Sequence, residues 1–292
     1  MAQLKEIRNR IGSIQNTRQV TSAMKMVSAA KLKKAQDAIL QITPYDQKLH
    51  EILQNLSLGD VDFESVYFSE PEIVNVLIVV VGANRGLCGG FNSNVAKYSI
   101  MHMLNNYELQ MKAGKVRFLS IGRQAEKGLK TRKVNLYPPE HDLLNDYNFD
   151  EISELVIRLM DLFKSGKFQR IDIVYNKFKN AAVQELTAEQ FLPISKPDET
   201  LKEVTRPDYI FEPTQEEILT SLIPQTLKMR LYRILLDSNA AEHGARMTAM
   251  HQATDNATEM LRELKTSYNN ARQAAITNEI LEITAGAEAL KG

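Results

Sequence analysis

A glycine-rich turn that follows an apolar run is the segment of this chain closest to a chemical motif. It reads GANRGLCGGFNSN from Gly82 to Asn94, and β-branched and apolar residues fill positions 73–81 before it. A strand, turn and helix in this order can hold a phosphate on backbone N–H groups. The turn lacks the lysine and hydroxyl of a P-loop, and its glycines do not have dinucleotide-binding spacing. We therefore predict a tight strand-to-helix connection rather than a nucleotide site.

Cysteine and histidine offer little further chemistry. Cys88 is the single cysteine, which excludes an intramolecular disulfide, and a nucleophilic role for it is the weaker interpretation. The five histidines show no pairing typical of a metal site, and His243 and His251 are eight residues apart rather than four. The sequence predicts no catalytic residue, no metal site and no cofactor.

The charge of the chain is balanced overall but not locally. There are 36 basic and 36 acidic residues, so no global field favours nucleic acid or a membrane surface. Residues 1–40 nevertheless carry eight basic side chains against two acidic ones, a net charge of +6. The basic residues are Lys5, Arg8, Arg10, Arg18, Lys25, Lys31, Lys33 and Lys34. Clustered aromatics or a nucleic-acid module do not accompany them, so we expect an acidic protein partner and no nucleic acid.

Membrane insertion and secretion are not expected. The chain has no stretch of about 18 consecutive apolar residues, the length that crosses a bilayer. Its start, MAQLKEIRNR, lacks the apolar run of a secretion signal and the Ser-rich character of a transit peptide. The interpretation is a cytosolic chain or one peripheral to a membrane complex.

Both ends of the chain predict helices much longer than the average of about 11 residues. Residues 2–58 and 215–290 contain few glycines and one proline each, Pro44 and Pro224, which either bend or interrupt the helices. Uninterrupted, the helices would be about 85 and 115 Å long. Thr214 and Glu217 predict a capping box at the start of the second helix.

Apolar spacing predicts that these two helices pair with each other. Positions in the first helix step by three and four, which is typical of a narrow seam against a second helix. They are Leu4, Ile7, Ile11 and Ile14, and after a polar gap Val20, Met24 and Val27. In the second helix, alanines recur every four residues from Ala241 to Ala257, followed by Leu261. Such a ridge allows close approach of a partner helix, so we predict an antiparallel coiled coil.

The middle of the chain has a different period. Buried-strand patterns occur at 73–81, 116–121, 171–175 and 183–191, and helical patterns lie between them. This alternation predicts an α/β layer with a mainly parallel sheet. The predicted division is an N-terminal helix (1–58), a Rossmann-like α/β domain (72–194), a connector (195–213) and a C-terminal helix (214–290). The fold class is α/β, with the domain inserted between the two helices.

Four segments together closely resemble the gamma-subunit family of the rotary F-type ATP synthases. They are IRNRIGSIQNTRQVTSAMKMVSAAKLKKAQ, GANRGLCGGFN, PDYIFEP and ARMTAMHQATDNATEMLRELKTSYNNARQAAITNEILEITAGAEAL. They cover both ends and the middle, in the family's order. The resemblance implies a left-handed antiparallel shaft inside a hexamer of alpha and beta subunits. It also implies a foot on the membrane ring of c subunits, contact with the epsilon subunit, and transmission of torque without a catalytic site.

The resemblance also implies contact residues. Seven residues match family positions that face the beta subunit, hydrogen-bond to it, or are tied to coupling. They are Met24, Lys25, Arg246, Arg272, Gln273, Thr277 and Glu279. Tyr209 and Glu212 match the foot that touches the c ring. The implied location is the cytoplasmic side of the inner membrane, as a peripheral subunit.

Two departures from the family and two alternatives complete the interpretation. Chloroplast members carry an inserted segment with a cysteine pair; with Cys88 alone this chain has no thiol switch and resembles the bacterial type. Asn84 stands where the family motif usually has aspartate. The alternatives are a stand-alone nucleotide-binding α/β enzyme, which would bind ATP one-to-one, and a coiled-coil scaffold. The inserted α/β domain and the ARQAAIT motif argue against a scaffold.

Overall fold

The computed structural model describes residues 2–57, 66–69, 71–194, 212 and 214–289. The chain forms two compact units. The terminal unit comprises residues 1–28 and 247–292, and the central unit comprises residues 29–246. The elements in chain order are α1 (Ala2–Ser57), a 3₁₀ turn (Val66–Phe68), β1 (Val76–Val81), α2 (Phe91–Asn106), α3 (Glu108–Lys112), β2 (Val116–Ile121), α4 (Arg123–Thr131), α5 (Leu143–Asp146), α6 (Phe149–Lys164), β3 (Arg170–Phe178), β4 (Gln184–Leu192) and α7 (Gln215–Ala289).

The terminal unit is an antiparallel pair formed by the ends of α1 and α7. Arg8 donates a hydrogen bond to the hydroxyl of Tyr268 at 2.7 Å, and its guanidinium also lies over that ring. Further along, the hydroxyls of Thr21 and Thr254 are hydrogen-bonded at 2.8 Å. Because the partner number falls as the α1 number rises, the helices run in opposite directions. The predicted antiparallel pairing is confirmed.

The seam of this pair follows a seven-residue repeat. On α1 the less exposed positions step alternately by three and four through Leu4, Ile7, Ile11, Ile14, Arg18, Thr21, Lys25 and Ser28. On α7 the same steps run through Met250, Thr254, Ala257, Leu261, Leu264, Tyr268, Ala271 and Ala275. A repeat of seven residues is the pattern of left-handed coiled coils.

The predicted seam was wrong in its second half. Val20 and Val27 are 57% and 59% exposed, while Thr21 and Ser28 beside them are buried. The repeat continues from Ile14 through these polar positions, because the position on the helix, not the polarity of the side chain, decides which face meets the partner. On α7 the predicted four-residue alanine repeat likewise does not describe the seam. From Met250 onward, the less exposed positions are separated alternately by four and three residues.

The central unit is built on a four-stranded sheet with the order β2-β1-β3-β4. β1 pairs in parallel with β2 and with β3, and β4 is antiparallel to β3 at one edge. Successive residues of β1 point to opposite faces and are buried on both. The predicted α/β class is confirmed, and the strand predicted from 73 begins at Val76.

Helices cover both faces of the sheet. Leu77, Val79 and Val81 of β1 pack in one core with α6 and with segments of α1 and α7. The alternate residues Val76, Ile78 and Val80 pack in a second core with α2 and α4. The result is a three-layer arrangement whose central strand is shielded from water, as parallel sheets require.

A buried carboxylate joins the α2 layer to the sheet. Asp172 on β3 is 1% exposed and contacts the ring Nε2 of His102 at 2.7 Å. The same oxygen, Oδ2, also accepts a hydrogen bond from the hydroxyl of Tyr107, and the other oxygen, Oδ1, accepts one from Arg170 Nε at 2.9 Å. Burial alone would raise the pKa of Asp172, but the hydrogen bonds from His102 and Tyr107 and the charge of Arg170 hold the pKa below its usual range.

Both long helices continue through their prolines, which answers the question that the sequence left open. Pro44 on α1 removes the hydrogen bond to the carbonyl of Leu40, and both residues are exposed, so water can solvate that carbonyl. α7 starts as predicted, because the Thr214 hydroxyl accepts a hydrogen bond from the N–H of Glu217 at 3.3 Å.

Candidate functional surfaces and the glycine-rich turn

The glycine-rich turn is held closed by bonds within the chain. A Cβ on Gly82 would lie 2.6 Å from that of Ala125, so only glycine allows α4 to pack this closely. The amide of Asn92 accepts a hydrogen bond from the N–H of Ala83 at 2.8 Å and donates to the sulfur of Cys88 at 3.1 Å. Cys88 is buried, and burial raises the pKa of its thiol, opposite to what a nucleophile needs.

Asn84 uses both ends of its amide in this turn. Its Nδ2 donates to the carbonyl of His141 at 2.9 Å, and its Oδ1 accepts from the N–H of Arg123 at 3.2 Å. An ionised aspartate could take the second contact but not the first, because it has no donor. The asparagine therefore links the turn to the loop before α5.

Arg246 of α7 closes the turn from outside. The guanidinium is 7% exposed and donates to the carbonyls of Arg85 and Gly86 at 3.2 and 3.3 Å. It is ion-paired with Glu242 at 2.7 Å, and it contacts Nδ1 of His243 at 3.2 Å. The turn thus presents carbonyl oxygens to a cation, the reverse of the N–H groups that a phosphate would require.

Burial shifts the pKa values of the two titratable side chains that contact Arg246. Desolvation raises the pKa of Glu242 despite the opposing charge of Arg246. Desolvation, together with the charges of Arg246 and Lys31, lowers the pKa of His243 to about 4, so that ring is neutral at pH 7. The family resemblance implied that Arg246 contacts the beta subunit, and that contact stays a prediction. In the structure Arg246 is buried and bonded within the central unit, because α7 packs on the turn there.

The residues predicted to hold a partner near the end of α7 are exposed. Arg272, Gln273, Thr277 and Glu279 all lie on the surface of the terminal unit. The Thr277 hydroxyl donates to the carbonyl of Gln273 at 2.9 Å, one turn earlier on the helix. These four side chains are brought together on one stretch of about two helical turns.

On α1, the predicted Met24 and Lys25 are half-buried: Lys25 is one of the seam positions, and Met24 lies next to it. A neighbouring apolar set is more exposed: Val20, Met26 and Val27 at 57%, 64% and 59%. Sequence reasoning missed this surface because it assigned Val20 and Val27 to the seam. The signal was the seven-residue repeat, which continues from Ile14 to positions 18, 21, 25 and 28 and leaves the valines outside.

A second apolar surface lies at the end of α7. Ile276, Ile280, Leu281 and Ile283 are exposed on it, and sequence reasoning did not select them. Arg8 lies opposite Tyr268, so α1 begins, at Ala2, about level with residue 275, and these four residues lie beyond that level. Exposed large apolar side chains grouped on one segment indicate a contact surface for another molecule.

The remaining predicted sites give little structural information. Glu212 is exposed, and Tyr209 lies outside the described residues. Within the part of the chain that the structure describes, no cluster of three or more potential metal ligands occurs. None of the helices described combines the length and the apolarity needed to cross a bilayer. Fold and surfaces together define a class of protein: paired terminal helices with exposed contact surfaces, separated in sequence by an α/β domain.

A family model described as ATP synthase matches residues 3–290. The chain belongs to the ATP synthase gamma-chain family. It is 51% identical to the ATP synthase gamma chain of Flavobacterium psychrophilum over 294 residues, covering 100% of both chains. It is 50% identical to that of Christiangramia forsetii, again over 100% of both.

Solved structures share the fold at lower identity. A chain of the Euglena gracilis mitochondrial ATP synthase, in a structure of OSCP, F1 and c-ring, has a TM-score of 0.70 and 20% identity. The match covers 99% of this chain and 95% of that one. A chain of the Tetrahymena thermophila central stalk and c-ring has a TM-score of 0.58 and 23% identity, covering 80% of this chain and 99% of that one.

Proposed function

We propose that this chain is the central rotor of an ATP synthase, which carries torque between a ring of c subunits and a hexamer of alpha and beta subunits. The observation that carries the proposal is the full-length match to gamma chains. The paired helices of the terminal unit, which leave large apolar side chains exposed, support it. The chain performs no chemistry itself, and the site of ATP synthesis belongs to its partners.

Contact with a beta subunit is assigned to residues of the terminal unit. On α7 the assigned residues are Arg272, Gln273, Thr277 and Glu279, and on α1 they are Met24 and Lys25. Hydrogen bonds from exposed polar groups are worth only about 1 kcal/mol each. Such contacts guide a turning shaft without holding it in one position.

The exposed apolar residues extend this assignment. Val20, Met26 and Val27 lie beside Lys25 on α1, so a partner surface there would need an apolar area next to acidic groups. Methionine suits a contact that changes during rotation, because its flexible side chain adapts to several packings. The apolar end of α7, which includes Ile276 and Ile280, would likewise meet an apolar surface of the hexamer.

The lower contacts are assigned from the resemblance alone. Tyr209 and Glu212 would touch the c ring, and the epsilon subunit would bind to the lower helices and the α/β domain. The assigned location is the cytoplasmic face of the inner membrane, as a peripheral subunit. We assign the domain limits as 1–58 for the N-terminal helix, 72–194 for the α/β domain, 195–213 for the connector and 214–290 for the C-terminal helix.

Replacement of Gln273 by alanine in the assembled complex tests the proposal. Because Gln273 is exposed, we expect the melting temperature of the isolated chain to stay unchanged, while ATP-driven ion pumping falls about tenfold, the equivalent of about 1.4 kcal/mol. The matched control is Gln252→Ala, an exposed glutamine on the same helix. Wild-type pumping in the Gln273→Ala complex would refute the beta contact.

The rotor proposal as a whole has a separate test. The tagged chain is purified from its own cells, and we expect it to bring down a hexameric ATPase in stoichiometric amount. Calorimetry of the isolated chain with ATP should show no binding, since the turn that could hold phosphate is closed by Arg246. One-to-one ATP binding without an associated ATPase would overturn the proposal in favour of a nucleotide-binding enzyme.

A further inference from the structure

The place where α/β sheets usually bind ligands is filled here by the chain itself. In open sheets of this kind, ligands bind beyond the carboxyl ends of the strands, where the strand order reverses. In the order β2-β1-β3-β4, this position lies between the parallel strands β1 and β3. The turn after β1 and the turn after β3 both emerge there, and α7 packs against both.

Small residues of α7 make this close packing possible. Ala241 belongs to a buried cluster with Ala83, Cys88 and Phe91 of the glycine-rich turn. A Cβ on Gly244 would lie 3.3 Å from both the Cα and the carbonyl oxygen of Ala181, in the turn between β3 and β4. Backbone therefore meets backbone at this point, and a larger residue would push α7 away from the sheet.

The polar contacts of Arg246 fix the orientation of α7 in addition to this apolar packing. Its Nε and Nη2 donate to the carbonyl of Gly86 at 3.3 Å, and Nη2 also reaches the carbonyl of Arg85 at 3.2 Å. Glu242, one turn earlier, compensates the buried positive charge. A planar guanidinium that contacts several acceptors fixes both the height and the rotation of the helix that carries it, which methyl groups cannot do.

We propose that Arg246 is the positioning residue that locks α7 to the α/β domain, with the helix bound in the sheet's ligand crevice as an internal ligand. The lock prevents α7 from turning about its own axis relative to the sheet. The inference rests on the proposed rotor function, because a subunit that transmits torque needs such a lock. It gives Arg246 a role within the chain instead of a contact with the beta subunit.

Cys88 reports directly on the lock. It is the single cysteine, lies in the turn that Arg246 holds, and is buried. Its modification by a thiol reagent in the assembled complex can be followed by mass spectrometry of the peptide that contains it. The charge of Arg246 lowers the pKa of this thiol against the larger, opposing effect of burial, so losing the charge alone would slow modification. Faster modification therefore means that the turn has opened.

The main variant is Arg246→Met, which keeps the length of the side chain and removes the donors. We expect Cys88 to react about tenfold faster and the number of ions pumped per ATP hydrolysed to fall at least twofold. Arg246→Lys keeps the charge but only one donor group, so both values should lie between wild type and Arg246→Met. Arg262→Met, an exposed arginine on the same helix, should change neither.

Glu242→Gln/Arg246→Met is the second variant, because methionine alone leaves a buried carboxylate without its partner. If Arg246→Met does not assemble, the double variant carries the same two expectations. Unchanged Cys88 reactivity in an assembled variant would overturn the lock. Faster reactivity with wild-type pumping per ATP would overturn its role in torque. If the wild-type chain did not associate with an ATPase, the rotor proposal would fail, while the thiol measurement on the chain would still test the lock.

Discussion

The terminal and central units use the same two helices in opposite ways. Among the described residues of the terminal unit, the buried hydrophobic ones are Met250, Ala257 and Leu261. In the central unit, every residue of β1 is completely buried between two helical layers. Hydrophobic burial contributes about 25 cal/mol per Å², so the central unit holds most of the stabilising surface. The terminal unit instead leaves many apolar and charged side chains exposed.

Phe118→Ala in the central core should have the largest effect. Phe118 is among the largest fully buried side chains, and its loss leaves a cavity, so we expect a decrease of about 3–5 kcal/mol in the free energy of unfolding. Urea denaturation followed by circular dichroism measures it. Leu109→Ala is the control, because Leu109 is 79% exposed. Equal effects of the two changes would contradict the placement of the core.

Asp172→Asn tests the polar connection inside the same unit. We expect the free energy of unfolding at pH 7 to fall by about 3 kcal/mol, because Arg170 loses its buried ionic partner. Since folding lowers the pKa of Asp172, its stabilising contribution is fully present above the ordinary carboxyl pKa of about 3.9. It is lost as the pH falls through the folded-state value. Urea midpoints between pH 2 and 7 should therefore depend less on pH below 4 in the variant. An unchanged acid dependence would exclude Asp172 as its source.

Leu261→Ala examines the seam of the terminal unit. Leu261 is buried, but the seam is narrow and open to water. We therefore expect the free energy of unfolding to fall by about 2 kcal/mol, the low end of the range for Leu→Ala changes in protein cores. Hydrogen exchange of amides in residues 250–275 should accelerate, while that of β1 should not. Acceleration in both segments would show that the two units unfold together.

Tyr268→Phe should have the smallest effect. It removes the hydroxyl that accepts a hydrogen bond from Arg8 but keeps the ring under the guanidinium, and this pair is exposed at the surface. We expect no measurable change in the urea midpoint, because exposed pairs are screened by water. A clear drop would mean that polar contacts, rather than the apolar seam, hold the terminal helices together.

Local patterns allowed most elements to be predicted. The strand Val116–Ile121 has the predicted limits, and Thr214 caps α7 because a cap depends only on residues within one turn. The faces of the long helices were harder to assign. Val20 and Val27 are apolar yet exposed, since the heptad position decides burial and a hydroxyl pair, Thr21 with Thr254, fits the seam.

The contacts of Arg246 show the limit of sequence reasoning at the candidate sites. Its match to a family motif implied a contact with the beta subunit, and the residues within one helical turn do not show the contacts that it makes inside the chain. Its carbonyl partners lie about 160 positions earlier in the chain, so only the packing of α7 on the turn brings them together. Arg272 and Gln273 are exposed, and their proposed contact with beta stays a prediction.

The sequence by itself determined the family, the order of helices and strands, and the length of the terminal helices, because these depend on periodicity, caps and motifs read along the chain. The tertiary structure decided which side chains face the seam, which apolar residues stay exposed, and that α7 fills the ligand crevice of the sheet. Those outcomes depend on residues far apart in sequence. Close packing in the folded chain selects one register of the paired helices and one segment to fill the crevice, out of the many arrangements that local patterns allow.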